Sequence, residues 1–484
     1  MRFNYKLIAS FTGMLLVLNG IFMLLCLPFS IYFDEPIYSL GLSGLITACV
    51  GGIFWYSTRN NENKELKKKD GYLIVTFGWL MMSCFGTLPF LISGAIPNFT
   101  DAFFETISGF TTTGASILTD IESVDKGILF WRSLTQWIGG MGIIVLAVAI
   151  LPILGIGGMQ LFIAEAPGIS PDKMKPRIKE VAKRLWFIYL GLTLSEMVLL
   201  MMGGMSFYDA INHSLTTMAT GGFSTKNASI AYYDSAYIQY VIIFFMFMAG
   251  TNFTITYYMF KGKLKKAWSN EEFRNYLIVV VSLSICIAFF VFSDRWEGFE
   301  KSFRDSLFQV VSIITTTGYV TADYTTWAPF LTVIFFLLMF LGASAGSTAG
   351  GIKVIRHTLL FKNSFLEMKR QLHPSAVIPV RLNNQAVSRD ITYNVLAFVM
   401  IYLLIFGLGV FLISFTGVDF DTALGAVATS LGNIGPGLGS VGPVNNFAHI
   451  SDFGKWLLSF LMLLGRLELF TVLMLFNPNF WQKY

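Results

Sequence analysis

Asp101-Ala-Phe-Phe-Glu-Thr-Ile-Ser-Gly-Phe-Thr-Thr-Thr-Gly114 starts on an acid, runs mostly apolar or small, and ends in a Thr/Gly stretch. The chain writes this pattern four times. The other copies are Asp209-Ala-Ile-Asn-His-Ser-Leu-Thr-Thr-Met-Ala-Thr-Gly-Gly222, Asp305-Ser-Leu-Phe-Gln-Val-Val-Ser-Ile-Ile-Thr-Thr-Thr-Gly318 and Asp421-Thr-Ala-Leu-Gly-Ala-Val-Ala-Thr-Ser-Leu-Gly-Asn-Ile-Gly435. Three copies set the acid thirteen residues before the closing glycine, and the fourth sets it fourteen before. A repeat outranks a single motif because every copy constrains the reading of the others.

Each copy reads as a helix with Asp as its N-cap. About ten apolar residues at ~1.5 Å each reach only halfway through a bilayer. The pattern therefore predicts a re-entrant half-helix followed by non-helical backbone, which is tolerated at that depth only where it is buried in protein or lines a watery path. Four such segments would form a ring. A half-helix entering from outside aims its partially negative C-terminal end at the membrane centre, and the carbonyls that follow can replace a cation's hydration shell. Glycine allows the backbone angles that this requires.

Outward from the repeats, the composition agrees. The 484 residues are 54% hydrophobic and 13% charged, whereas a soluble domain carries about a quarter of its residues as charges. Ten apolar runs are long enough to cross a membrane: 8–30, 37–57, 71–93, 128–155, 185–204, 234–260, 275–293, 327–345, 390–415 and 453–476. The first is too long for a signal-peptide core and reads as a retained helix. Lys and Arg collect at the N-terminus and in the loops at 58–70, 173–184, 261–274 and 353–389, which places these segments and both termini in the cytoplasm. The alternate segments carry acids such as Asp34, Glu35, Asp101, Glu105, Asp209 and Asp323. The formal charge of +5 is thus a loop bias and not a nucleic-acid surface. Cys26, Cys49, Cys84 and Cys286 all lie in apolar runs, and nothing in their placement suggests disulfides or a metal cluster.

The architecture expected is an all-α membrane protein of four parallel helix–pore loop–helix repeats around one central pore. The units are 71–160, 181–262, 274–356 and 389–484, with 1–57 as an additional transmembrane hairpin. Parallel repeats imply an axis along the membrane normal.

These residues resemble the Trk/Ktr/HKT superfamily of potassium transporters, and within it the bacterial TrkH branch, from about residue 71 to the end. The N-terminal pair of helices also resembles TrkH and not the shorter Ktr members. The resemblance assigns the selectivity filter to Thr112, Thr113, Gly114, Thr220, Gly221, Gly222, Thr316, Thr317, Gly318, Asn433, Ile434 and Gly435, with potassium held at backbone carbonyls. All four filter glycines are present, which favours potassium, since sodium-preferring plant members often carry serine at the first. The segments lack the full Thr-Val-Gly-Tyr-Gly of potassium channels, which in this family accompanies a looser filter. The resemblance further implies a bacterial inner-membrane location, a homodimer and a cytoplasmic nucleotide-binding regulatory ring of the TrkA kind. It implies no covalent cofactor, and nucleotide acts only through that partner.

Two features below the repeats stand out. Gly342-Ala-Ser-Ala-Gly346-Ser-Thr-Ala-Gly350-Gly351 interrupts an apolar run with ten small residues. Small residues suit either a tight helix-packing face or, as the resemblance implies, a flexible gating loop. Arg466 stands about a dozen residues inside the last run, where an unpaired charge costs roughly 2.5 kcal/mol or more. Pairing with Glu196 is one reading; the resemblance instead puts the arginine in the ion path. Glu468, two positions on, does not share its helix face.

Gly437-Leu-Gly439-Ser-Val-Gly442 matches a dinucleotide fingerprint only as letters, because it follows no strand. No phosphate-binding loop, paired metal-ligand histidines or nucleophile elbow is present, so the chain reads as a non-enzyme. The functional classes left are a gated potassium-uptake pore and a proton- or sodium-coupled secondary transporter with alternating access.

Overall fold

The computed structural model describes residues 3–59, 67–145, 175–295 and 298–482. The described residues are overwhelmingly helical, and among them the strand pairings are two residues long. It opens with α1 (Tyr5–Leu24) and α2 (Tyr38–Thr58). These pack as an antiparallel hairpin on heptad-spaced glycines: a β-carbon at Gly13 would lie 2.7 Å from the Gly51 carbonyl oxygen, and one at Gly20 2.6 Å from that of Gly44. Small residues let the two backbones touch.

Four units follow. The first has α3 (Lys68–Gly86), the short α4 (Phe99–Phe110) and α5 (Lys126–Val145). The second has α6 (Lys175–Met202), α7 (Phe207–Met218), α8 (Ala236–Gly250) and α9 (Phe253–Phe260). The third has α10 (Glu271–Arg295), α11 (Phe299–Ile314), α12 (Pro329–Leu338) and α13 (Val354–Leu372). The fourth has α14 (Arg389–Ser414), α15 (Phe420–Gly432), α16 (Asp452–Arg466) and α17 (Phe470–Leu473). The short helices α4, α7, α11 and α15 have 12, 12, 16 and 13 residues, about 18 to 24 Å at 1.5 Å per residue. They are too short to span a membrane.

The expected caps need correction. Asn98, Ser206 and Asp419 cap α4, α7 and α15 with side-chain oxygens, and Gly298 precedes α11. Asp101, Asp209 and Asp421 instead lie in the first turn, and Asp305 lies deeper in α11. From there Asp209 and Asp305 hold the chain just past the closing glycine of their own unit, whereas Asp101 is held by α16 of the fourth unit. The Thr225 hydroxyl donates to Asp209 at 2.6 Å, that of Thr321 to Asp305 at 3.3 Å, and Lys455 donates to Asp101 at 2.5 Å.

The ten uninterrupted runs also need correction. Six helices among the described residues are long and apolar enough to cross a membrane, and two bent pairs would make eight. The run 234–260 is α8 and α9, bent by 115°, and 453–476 bends by 110° between Arg466 and Phe470. The run 327–345 holds only the ten-residue α12 before it leaves the helix. The end of 128–155, with the end of the first unit at 160, falls outside the described residues. So do much of the basic loop at 58–70 and the start of that at 173–184.

Candidate functional site

The four short helices end in one local structure. The NH of Thr112 donates to Gly109 O and that of Thr113 to Ser108 O, both at 2.9 Å. The same 5→2 and 6→1 closure recurs at Thr220 and Gly221, at Thr316 and Thr317, and at Asn433 and Ile434. This closure needs a left-handed residue, usually glycine. Here Thr112, Thr220, Thr316 and Asn433 take it, with φ of 53°, 53°, 57° and 55°. A β-branched residue in that region stores strain, held in place by its surroundings. Two residues on, Gly114, Gly222, Gly318 and Gly435 are again left-handed, at 83°, 76°, 79° and 107°. The sequence singles out the glycines for unusual backbone angles, and the resemblance puts these threonines and Asn433 in the filter, but their left-handed backbone was not legible.

The loops touch in cyclic order. A β-carbon at Gly114 would sit 2.1 Å from Gly221 O, at Gly222 2.0 Å from Thr317 O, and at Gly318 2.0 Å from Ile434 O. At Gly435 it would sit 2.9 Å from Thr113 O. Each glycine therefore makes room for the neighbouring loop's carbonyl, and the fourth contact returns to the first loop. Asn433 adds a link, donating from Nδ2 to Thr113 Oγ1 and to Met462 O, both at 2.9 Å. All twelve sequence-predicted residues are thus in the four loops of one ring.

Polar groups brace the ring from behind. Gln136 on α5 donates to Gly221 O at 2.7 Å and accepts from Phe223 NH at 3.1 Å. The Gly221 carbonyl, one of those expected to face an ion, is therefore engaged with protein. Arg132 and Glu105 form a buried ion pair at 2.6 Å. Glu105 also accepts from Ser116 Oγ and Ile117 NH at 2.9 Å each, and Arg132 donates to Ser224 O at 3.1 Å. Glu105, counted in the sequence with the acids of the outer segments, is thus a buried brace. The signal that could have found the pair is an arginine inside an apolar run with an acid on a half-helix.

Below the ring lies the small-residue stretch, which is neither a helix nor a helix-packing face. It loops between α12 and α13 and closes on itself through a two-residue parallel pairing of β1 (Leu341–Gly342) with β2 (Ile352–Lys353). Gly350 NH donates to the Thr316 hydroxyl at 2.7 Å, and a β-carbon at Gly350 would lie 2.4 Å from Gly432 O. The loop thus presses on the third and fourth corners of the ring. Gly342, Gly346 and Gly351 also belong to it, the last two with φ of 71° and 64°.

Arg466 clasps this loop. Its guanidinium donates to Thr348 O at 2.7 Å and to Gly139 O at 3.0 Å, and it is 2% exposed. The pairing with Glu196 does not form; neither Glu196 oxygen has a hydrogen-bond partner. Lys353 donates to the carbonyls of Ala349 and Gly350. Just past Arg466, Glu468 and Leu469 are left-handed (58° and 50°), and Leu469 forms a γ-turn with ψ −65°, closed from Phe470 NH to Glu468 O at 2.5 Å. That turn is rare and strained. It aims Glu468 at Arg356 of α13, with which it pairs. Arg466, Glu468, Lys353, Arg356 and the loop enclose a cavity of about 30 Å³, room for about one water.

The family model described as "TrkH: Cation transport protein" matches residues 40–293 and 298–483. The Trk system potassium uptake protein TrkH of Salmonella typhimurium is 43% identical over 486 residues, covering 99% of this chain and 100% of that protein. The Trk system potassium uptake protein TrkG of Escherichia coli is 34% identical over 485 residues, covering 99% of each. The crystal structure of the potassium transporter TrkH from Vibrio parahaemolyticus superposes with a TM-score of 0.91 at 38% identity, over 99% of this chain and 100% of that one. These relatives are named as transporters and not as enzymes. The chain belongs to the TrkH family of cation transport proteins.

Proposed function

We propose that the chain mediates potassium uptake through the ring of four loops, with residues 342–351 and Arg466 closing the path beneath it. The observation that carries this is the cyclic contact of the four glycine corners, each with a neighbour's carbonyl where a side chain would otherwise stand. Backbone oxygens in such a ring suit a dehydrated monovalent cation. The names of the relatives make potassium the substrate of choice. The repeat units are 71–160, 181–262, 274–356 and 389–484, with 1–57 outside the ring, and the basic loops face the cytoplasm of a bacterial inner membrane.

Arg466 places a full charge where a cation would have to pass, and its two donors fix the loop in the same position. Control comes from a cytoplasmic nucleotide-binding ring that binds the inner loops of a homodimer and displaces α13. A ligand moves such an equilibrium only by binding the two states with different affinity. The contacts at the start of α13 offer a lever: Lys353 holds the loop carbonyls of Ala349 and Gly350, and Arg356 ties α13 to Glu468 beside Arg466.

The deciding test is potassium flux by purified protein in liposomes with a potassium gradient alone. Flux under that condition is the expected result. Flux only when a proton or sodium gradient is added would replace the gated pore with coupled alternating access.

A further inference from the structure

Glu196 is the one carboxylate in the midst of α6 that the ring mechanism leaves unused. It is 0% exposed, and among the described residues neither of its oxygens has a hydrogen-bond partner. Its polar neighbours are the Thr217 hydroxyl, in the last turn of α7, and the Tyr319 phenol, directly after the third ring glycine. The side chain therefore sits behind the junction of the second and third loops.

The hydroxyl protons there are committed. Thr217 donates to His213 O at 2.7 Å, Tyr319 to the same carbonyl at 3.1 Å, and Thr216 bonds Asn212 O at 3.0 Å and the Tyr319 phenol. His213 is occupied at both nitrogens, by Asp209 O at 2.8 Å and Ser224 Oγ at 2.9 Å. On α5, Arg132 is taken by Glu105. Among the described residues, α8 carries no charged side chain; its tyrosines, Tyr237 and Tyr240, lie at one end, and Tyr257 and Tyr258 of α9 lie beyond the other. Among the described residues Glu196 has no ion-pair partner, and the hydroxyls of Thr216, Thr217 and Tyr319 each already have an acceptor other than Glu196. While the Thr217 proton rests on His213 O, its oxygen is left to accept from Glu196.

An ionised carboxylate buried without donors is far costlier than a neutral acid that donates one hydrogen bond. We propose that Glu196 is a neutral carboxylic acid that donates to Thr217 Oγ1 and so positions the junction between the second and third ring loops. Ionisation would turn the Thr217 proton from His213 O toward the carboxylate. That change would free the carbonyl on which Tyr319 also rests and loosen the third corner. Glu196 is thus a positioning residue for ion preference. Its effect on flux rests on the ring being the ion path; its protonation state does not.

Two measurements test it on the full-length protein. The infrared difference spectrum between wild type and Glu196→Gln at neutral pH should show a carboxylic-acid carbonyl band that shifts in heavy water. A carboxylate band in its place overturns the proposal whether or not the ring conducts. In liposomes, Glu196→Gln, whose amide can also donate to Thr217, should keep the potassium-over-sodium flux ratio within about twofold, whereas Glu196→Leu should lower it about fivefold or more, for loss of one buried hydrogen bond. Equal loss in both variants, or none in Glu196→Leu, overturns the positioning role. Thr217→Val, which removes the acceptor while keeping the shape, should match Glu196→Leu.

Discussion

At the ring, four segments with different sequences adopt one backbone; beyond it, among the described residues, the second, third and fourth units do not continue alike. Thr, Thr, Thr and Asn take the same left-handed angle within 4°, and each closing glycine meets a neighbour's carbonyl. Underneath, the second unit bends by 115° at Thr251 and Asn252, the third unravels into a loop of small residues, and the fourth turns on a strained residue beside Arg466. The difference separates two tasks. On the function proposed, a cation in the ring would meet oxygens from all sides, so unequal corners would spoil the site, whereas one obstruction would suffice to stop flow and only one or two units need supply it.

The largest expected effect is at the ring. Gly318→Ser combines a φ of +79° with a β-carbon 2.0 Å from Ile434 O, and should cut the potassium-over-sodium flux ratio roughly a hundredfold, since strain and a backbone clash together exceed ~2.5 kcal/mol. Gly435→Ser, with 2.9 Å of clearance, should do less. Equal damage at both corners would mean that the close approach is not what matters. Next comes Glu468→Gln, which leaves Arg356 buried without its carboxylate and should cost about 2 kcal/mol of stability, read as lost thermal stability in detergent. The same change should leave ion preference intact, because the pair touches the loop and not the ring.

Arg466→Ala should raise potassium flux about tenfold at an unchanged flux ratio, as removing a fixed charge from a low-dielectric path relieves ~1.4 kcal/mol or more. A changed ratio would join the two levels that the structure separates. The smallest effect is the sharpest comparison. Thr112 and Thr316 hold equivalent places, but the Thr112 hydroxyl has no partner while that of Thr316 accepts from Gly350 NH. Thr316→Gly should increase the open fraction in single-channel recordings about fivefold, for loss of one hydrogen bond of ~1 kcal/mol; Thr112→Gly should leave it unaltered.

What could be read from the sequence follows the same division. Four copies of one pattern exposed the ring, down to its glycine corners, because repetition averages out local ambiguity. Arg466 was conspicuous as a charge in an apolar run. Its acceptors were not, since Thr348 O and Gly139 O are backbone atoms brought in from distant segments. The partnership of Glu468 with Arg356 was hidden for another reason: spacing on an ideal helix says nothing once the helix has ended at Arg466 and the chain has turned at Leu469. The bend at Thr251 was equally silent. Neither site carries proline, and the glycines before them, Gly250 and Gly465, matter through what they touch: Thr315 at 2.7 Å and Leu431 O at 2.1 Å from a would-be β-carbon.

The link from Asn433 to Thr113 joins positions 320 residues apart. During synthesis the first corner leaves the ribosome long before the fourth exists, and so cannot meet its cyclic neighbour until nearly the whole chain is made. Three strained threonines must wait without the last contact that holds them. A chain cut short before residue 432 would therefore insert its early helices yet have an open seam between its first and third loops, where water and lipid could enter. Ring closure is then a checkpoint on synthesis of the fourth corner: a membrane quality-control protease would meet an unsealed polar seam in products cut short before residue 432 and in no finished one.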